Sequence, residues 1–154
     1  MTVRDLAGFR GGYCFFGRIV MGIAWGEHLA TGITEVDDQH RELLRRLNAF
    51  LDACDTGKGK EDLIGMLQFL DDYVVIHFRT EERLMEIHSY PDRVHHRGYH
   101  RGFIRQLNDL KRRFLLEGPS PSLVKEINLT VVSWLLDHIA VKDRAFAPFI
   151  KGKG

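Results

Sequence analysis

The chain has 154 residues and a formal net charge of +1; 44% of its residues are hydrophobic and 28% are charged. This length predicts one domain that can bury a core without disulfides, and the near-neutral charge argues against a protein that binds nucleic acid regardless of sequence. No apolar run approaches the roughly 18 residues of a membrane span, and Arg10 and Arg18 interrupt any signal-peptide core, so we expect a cytoplasmic protein.

The first 32 residues are rich in glycine and show no helical period. They contain seven of the fifteen glycines in the chain, which predicts an irregular N-terminal arm. Met21 begins a stretch that could itself start a chain. We therefore expect residues 1–20 to be an N-terminal extension that need not be ordered, and residues 21–154 to form the domain.

Four later segments have apolar residues spaced alternately by three and four positions, which is typical of helices that bury one face. They span residues 36–54, 63–84, 96–114 and 124–141, and predict helices of about 18–25 residues. Proline costs about 3 kcal/mol inside a helix, and we expect the four prolines (Pro91, Pro119, Pro121 and Pro148) to lie outside the helix interiors. Because short connections make neighbouring helices antiparallel, the sequence predicts an all-α, up-down-up-down four-helix bundle.

Polar residues interrupt these apolar seams, and the antiparallel topology places all of them at one end of the bundle. They are His40, His77, Glu81, His96, His100 and His138. Burying each without a partner would cost several kcal/mol, which a domain with about 5–15 kcal/mol of net stability could not tolerate. Five imidazoles, a carboxylate and no thiolate exceed one zinc ion. The spacing therefore predicts a dinuclear site and leaves iron, manganese, copper and zinc open.

The remaining histidines, His28, His88 and His95, lie in the arm or around Pro91, and we expect them to face solvent or bond within loops. Glu82 turns away from the seam that contains Glu81. We expect its carboxylate to be solvated.

These residues resemble the bacterial hemerythrins. The similarity rests on ITEVDDQH ending at His40, HFRTEE beginning at His77, the His96-x3-His100 pair, and Trp134-x3-His138-x4-Asp143; it covers about residues 21–147. The resemblance implies two iron ions (Fe2+/Fe3+) with an oxo or hydroxo bridge. By the family pattern, His96, His100 and His138 would hold one iron, and His40 and His77 the other. Glu81 and Asp143 would bridge them, leaving one position open for dioxygen.

Asp143 enters this set only through the resemblance. It lies five residues after His138, which is about 140° around an ideal helix. A straight helix would not direct both side chains to one ion, so the assignment requires local unwinding or a helix end near residues 141–142.

The resemblance also implies an apolar oxygen pocket formed by Phe78, Trp134, Leu135 and Ile139. It implies reversible dioxygen binding for carriage, storage or delivery to an oxygen-consuming enzyme, rather than catalysis. The alternatives are oxygen or redox sensing through a partner, enzymatic removal of peroxide or nitric oxide, and a structural zinc site. We expect a monomer, because the outward helix faces are polar.

Overall fold

The helices follow the predicted order along the chain. The structure is a computed structural model that describes residues 23–118 and 120–152; the predicted extension over residues 1–20 lies outside this range. The elements are α1 (Thr34–Asp55), α2 (Gly59–Ile87), α3 (Arg93–Glu117), α4 (Pro121–Asp137), a π-helical segment (His138–Asp143) and α5 (Arg144–Lys151). The predicted all-α antiparallel four-helix bundle is confirmed. Within the described ranges there is no strand.

The apolar seams form one continuous core between the four helices. Residues such as Leu43, Leu70, Phe103 and Ile127 are almost completely buried in it. A smaller cluster of Met85, Phe146 and Ile150 lies apart from this core. The groups predicted to bind metal separate the two apolar clusters along α2, since His77 and Glu81 precede Met85.

The start of α1 is fixed by a buried carboxylate. Asp37 accepts hydrogen bonds from the Thr31 backbone N–H (2.8 Å), the Thr31 hydroxyl (2.7 Å) and the Gly32 backbone N–H (2.9 Å). Gly32 has a φ of 76°, a conformation that glycine adopts without steric cost. This arrangement anchors the segment before the helix, one turn ahead of His40.

The structure corrects one expectation about proline. Pro148 lies inside α5, because the fourth helix continues through the π-helical segment instead of ending near residue 141. The proline faces solvent, while Phe146, Ala147 and Ile150 are buried. Their packing outweighs the backbone hydrogen bond that proline cannot donate. Pro121 occupies the first turn of α4, where proline is favoured, and Pro91 lies in the α2–α3 turn; Pro119 is outside the described residues.

The second helix is longer than the seam predicted, with 29 residues, and extends beyond the seam at both ends, from Gly59 to Ile87. In the part of the chain that the structure describes, no helix combines the length and hydropathy needed to cross a membrane.

Candidate metal centre

The structure brings together all seven residues of the predicted ligand set. They come from α1, α2, α3 and the π-helical segment that continues α4. Every one of the seven is at most 2% exposed: His40, His77, Glu81, His96, His100, His138 and Asp143. The seven residues converge because, in the antiparallel topology, the beginnings of α1 and α3 lie beside the ends of α2 and α4.

The donor atoms divide into two groups, in each of which they lie within 4.8 Å of one another. The three-histidine group consists of Glu81, His96, His100 and His138. The two-histidine group consists of His40, His77, Glu81 and Asp143.

Each carboxylate directs its two oxygens to different groups. Glu81 Oε2 lies 3.0 Å from His100 Nε2, while Oε1 lies 3.4 Å from His77 Nε2. Asp143 Oδ1 lies 3.1 Å from His138 Nε2, while Oδ2 lies 3.0 Å from His40 Nε2. Both side chains therefore connect the three-histidine group to the two-histidine group. This is the geometry of a carboxylate that bridges two cations.

The π-helical segment explains how Asp143 reaches the centre. Residues His138–Asp143 adopt i→i+5 hydrogen bonding in place of the α-helical pattern. The wider turn accommodates one extra residue, so side chains five positions apart come to the same face. The local unwinding that the His138–Asp143 spacing required is present, and both side chains are buried.

Several buried polar atoms at the centre have no hydrogen-bond partner among the described residues. They are Glu81 Oε1, His96 Nε2 and both carboxylate oxygens of Asp143. In addition, His40 and His77 place their Nε2 atoms 3.2 Å apart, and His100 and His138 place theirs 3.0 Å apart. Burying polar atoms without hydrogen-bond partners would be costly in free energy. Imidazole nitrogens and carboxylate oxygens converging in this way fit transition-metal cations.

The pKa values at the centre show where protons lie when no cation is bound. Burial lowers the pKa of His138, but the nearby carboxylates of Asp143 and Glu81 outweigh burial and raise it to about 10. Burial and the charge of Glu81 raise the pKa of Asp143, yet His138 and His40 hold it below its ordinary value. For His77, burial dominates and lowers the pKa to about 4. An incoming cation therefore displaces a proton from His138 and meets an ionised Asp143.

Two residues outside the predicted set hold the rings of two predicted ligands. Gln39 Oε1 lies 2.8 Å from His77 Nδ1, and Glu82 Oε1 lies 2.9 Å from His100 Nδ1. An Nδ1–H that donates to these oxygens leaves Nε2 free to bind a cation. The expectation that Glu82 is merely solvated was wrong: it is half-buried and reaches His100 across the α2–α3 interface. Its position next to Glu81 was the only signal in the sequence.

Aromatic rings enclose the histidines. Phe78 stacks on His100 with ring centroids 3.8 Å apart, and Trp134 stacks on His138 at 4.3 Å. Leu135 and Ile139 are each 1% exposed. Of the four residues predicted to form an apolar pocket, Phe78 and Trp134 therefore contact rings of the three-histidine group.

A different aromatic residue contacts the two-histidine group. Tyr73 stacks on His77, with centroids 5.0 Å apart; in the sequence it was one more apolar-seam neighbour and gave no signal. The other three histidines belong to neither group. His95 is exposed, as expected, and pairs with Asp92 at the start of α3.

Comparisons with known proteins match most of the chain. A family model described as the hemerythrin HHE cation binding domain matches residues 31–150. The chain is 30% identical to a bacteriohemerythrin of Stenotrophomonas maltophilia, over 84% of this chain and 82% of the relative. It is 31% identical to a bacteriohemerythrin of Methylococcus capsulatus, over 77% and 88%, and 31% identical to a hemerythrin subunit alpha of Lingula anatina, over 78% and 88%.

A solved structure, described as that of a mutant with phenylalanine in place of a leucine, superposes with a TM-score of 0.68. It is 25% identical in sequence, and the match covers 84% of this chain and 98% of that one.

Proposed function

Because this chain belongs to the hemerythrin family, we propose that it binds dioxygen reversibly at two iron ions held inside the bundle. The observation that carries the proposal is the division of carboxylate oxygens between the two groups of histidines. Two bridging carboxylates would hold two cations close together. The cations must be close if one small ligand is to take electrons from both.

The proposed ligands differ in number between the two irons. His96, His100 and His138 with one oxygen each from Glu81 and Asp143 supply five donors to one iron (3 + 2). His40 and His77 with the other two oxygens supply four (2 + 2). An oxo or hydroxo bridge would add one donor to each iron. The two-histidine group would then be the one with a position left for dioxygen.

Iron supplies the reversible exchange of electrons with dioxygen, and the protein supplies the surroundings. Gln39 and Glu82 hold two imidazoles with Nε2 inward. Phe78, Trp134, Leu135 and Ile139 present apolar surface, which we propose excludes water from the oxygen pocket. The chain carries no Glu-x-x-His pair, the pattern of carboxylate-rich di-iron bundle proteins. That composition favours binding over catalysis.

The proposal is tested by metal analysis followed by optical titration of the reduced protein with dioxygen. We expect two irons per chain and a visible absorption band that appears with dioxygen and disappears on its removal. Zinc without iron would contradict the proposal and favour a structural site. A band that forms once and never reverses would also contradict it. Rapid turnover of peroxide or nitric oxide would favour an enzyme, and reversible binding that changes association with another protein would favour a sensor.

We also propose that the functional domain comprises residues 21–154 and that it acts as a monomer. A chain beginning at Met21 should retain the iron content, oxygen band and melting temperature of the full chain. Sedimentation should give the mass of a single chain. Loss of iron in the shortened chain would contradict the boundary at residue 21.

A further inference from the structure

Tyr73 carries a buried hydroxyl that has no partner among the described residues. The residue is 6% exposed and lies on α2, one turn before His77. Buried tyrosine hydroxyls usually find a hydrogen-bond partner. This phenol therefore lacks an acceptor in the protein alone.

The position of the ring places Tyr73 beside the two-histidine group. Its face packs on His77 (centroids 5.0 Å apart, planes at 24°), and Phe69 lies on the N-terminal side at 5.5 Å. A phenol is protonated at neutral pH and can donate a hydrogen bond. The unpartnered hydroxyl, on a ring that stacks on His77, is therefore an available donor.

Gln39, the other polar side chain that faces His77 outside the predicted ligand set, already has partners for both of its polar atoms. Gln39 Oε1 faces His77 Nδ1, and Gln39 Nε2 donates to the Thr80 hydroxyl at 3.0 Å. His40 Nδ1 also has no partner, but it belongs to a ring whose Nε2 faces Asp143 at 3.0 Å. Among these side chains, Tyr73 therefore has the available hydrogen-bond donor. Its hydroxyl has no partner, and it is not part of a ring proposed to bind metal.

We propose that the Tyr73 hydroxyl donates a hydrogen bond to the small ligand that binds beside His40 and His77. The inference rests on the proposed function in needing iron at this group, and it deepens that function by naming a residue that sets ligand affinity. The ligand class is a small molecule that is anionic or becomes negatively charged on binding, such as azide or dioxygen. A hydrogen bond to a charged acceptor strengthens as charge accumulates on that acceptor.

The test compares Tyr73→Phe with the wild-type protein, and uses Tyr90→Phe as a control. Tyr90 packs against Phe146 and Phe149 in the smaller cluster, away from the two-histidine group. Azide is titrated into the oxidised, iron-loaded proteins, and its dissociation rate is measured by stopped flow. We expect Tyr73→Phe to raise both the azide Kd and the dissociation rate about tenfold, which corresponds to about 1.4 kcal/mol. Tyr90→Phe should leave both unchanged.

A second readout uses the metal-free proteins and separates ligand contact from structural support. Because the hydroxyl has no partner there, Tyr73→Phe should leave the melting temperature unchanged or raise it. A fall of several degrees would reveal a partner within the protein and overturn the inference. Unchanged azide binding in Tyr73→Phe, or a wild-type protein that binds no azide, would overturn it too. Failure of the wild-type protein to bind dioxygen reversibly would instead refute the proposed function, while the azide comparison still decides the role of Tyr73.

Discussion

Replacing Leu135 by alanine should accelerate oxidation of the oxygenated protein without abolishing the fold. Leu135 is 1% exposed and lies one turn before His138. Truncation removes three carbon groups at about 0.8 kcal/mol each, or about 2.4 kcal/mol. The cavity adds a further term, so that the total reaches about 3–5 kcal/mol. Most of the range of about 5–15 kcal/mol for domain stability exceeds this loss, and bound iron would increase the margin.

The cavity matters because of its neighbours. An apolar cavity stays dry, but one that adjoins polar groups can hold water if two or more partners are in reach. His138 lies one turn after Leu135, so the buried imidazoles and carboxylates of the candidate metal centre would supply those partners. Water hydrogen-bonded to the anion that leaves during autoxidation would stabilise it by about 1.5–3 kcal/mol, which corresponds to a rate increase of about 10- to 150-fold.

Leu123→Ala is the matched control. Leu123 lies on the same helix and is 0% exposed, but it is twelve residues away, or about 18 Å along the axis. Both variants should lose similar stability in chemical denaturation. Only Leu135→Ala should show faster decay of the oxygenated absorption band. Equal decay rates in Leu135→Ala and the wild-type protein would refute the pocket assignment, and equal acceleration in both variants would attribute the effect to general destabilisation.

Three further predictions concern the centre itself. Chelation of the metal should lower the melting temperature measured by calorimetry, because the cation binds only the folded state; an unchanged value would argue against a buried site. Glu82→Ala should weaken iron binding about 10- to 100-fold in chelator competition, since His100 loses its acceptor, whereas Glu86→Ala, an exposed ion-pair residue, should not. In the metal-free protein the pKa of His138 is raised from 6.5 to about 10, so its contribution to stability is complete below pH 6.5 and is lost as pH rises through 10. The melting temperature should therefore fall over that interval, more than it does for the loaded protein; parallel curves would contradict the shift.

The helices and most of the centre were predictable because both depend on the three- and four-residue spacing of buried positions along each helix. The positions of His40, His77 and His138 on apolar seams, together with short connections, define which end of the bundle they reach. The same reasoning found the His96/His100 pair, since residues four apart share a helix face.

Features that depart from the α-helical spacing could not be predicted from it. Asp143 reaches the centre only through the π-helical segment, and α-helical spacing directs it elsewhere. Gln39 and Glu82 lie beside seam positions and contact the rings across helix interfaces, so their roles depend on rotamers. Tyr73 occupies a position where an aromatic ring fits the apolar pattern. Only the structure shows that its hydroxyl is buried.

The extra residue in the π-helical segment has a second effect, on the phase of everything that follows it. Phe146 and Ile150 of α5 pack with Met85, and the π-helical turn sets the orientation of α5 that allows this contact. Forcing residues 138–143 into an α-helix without removing a residue would rotate Asp143 and α5 together by about 100° relative to α4. That change would remove a carboxylate from the centre and separate the C-terminal helix from its apolar contacts. Deleting one residue between positions 139 and 142 would instead leave the histidine and the aspartate four residues apart, a spacing that shares one face of an ordinary α-helix. The six-residue π-helical segment thus links the closure of the molecule's end to the assembly of its interior.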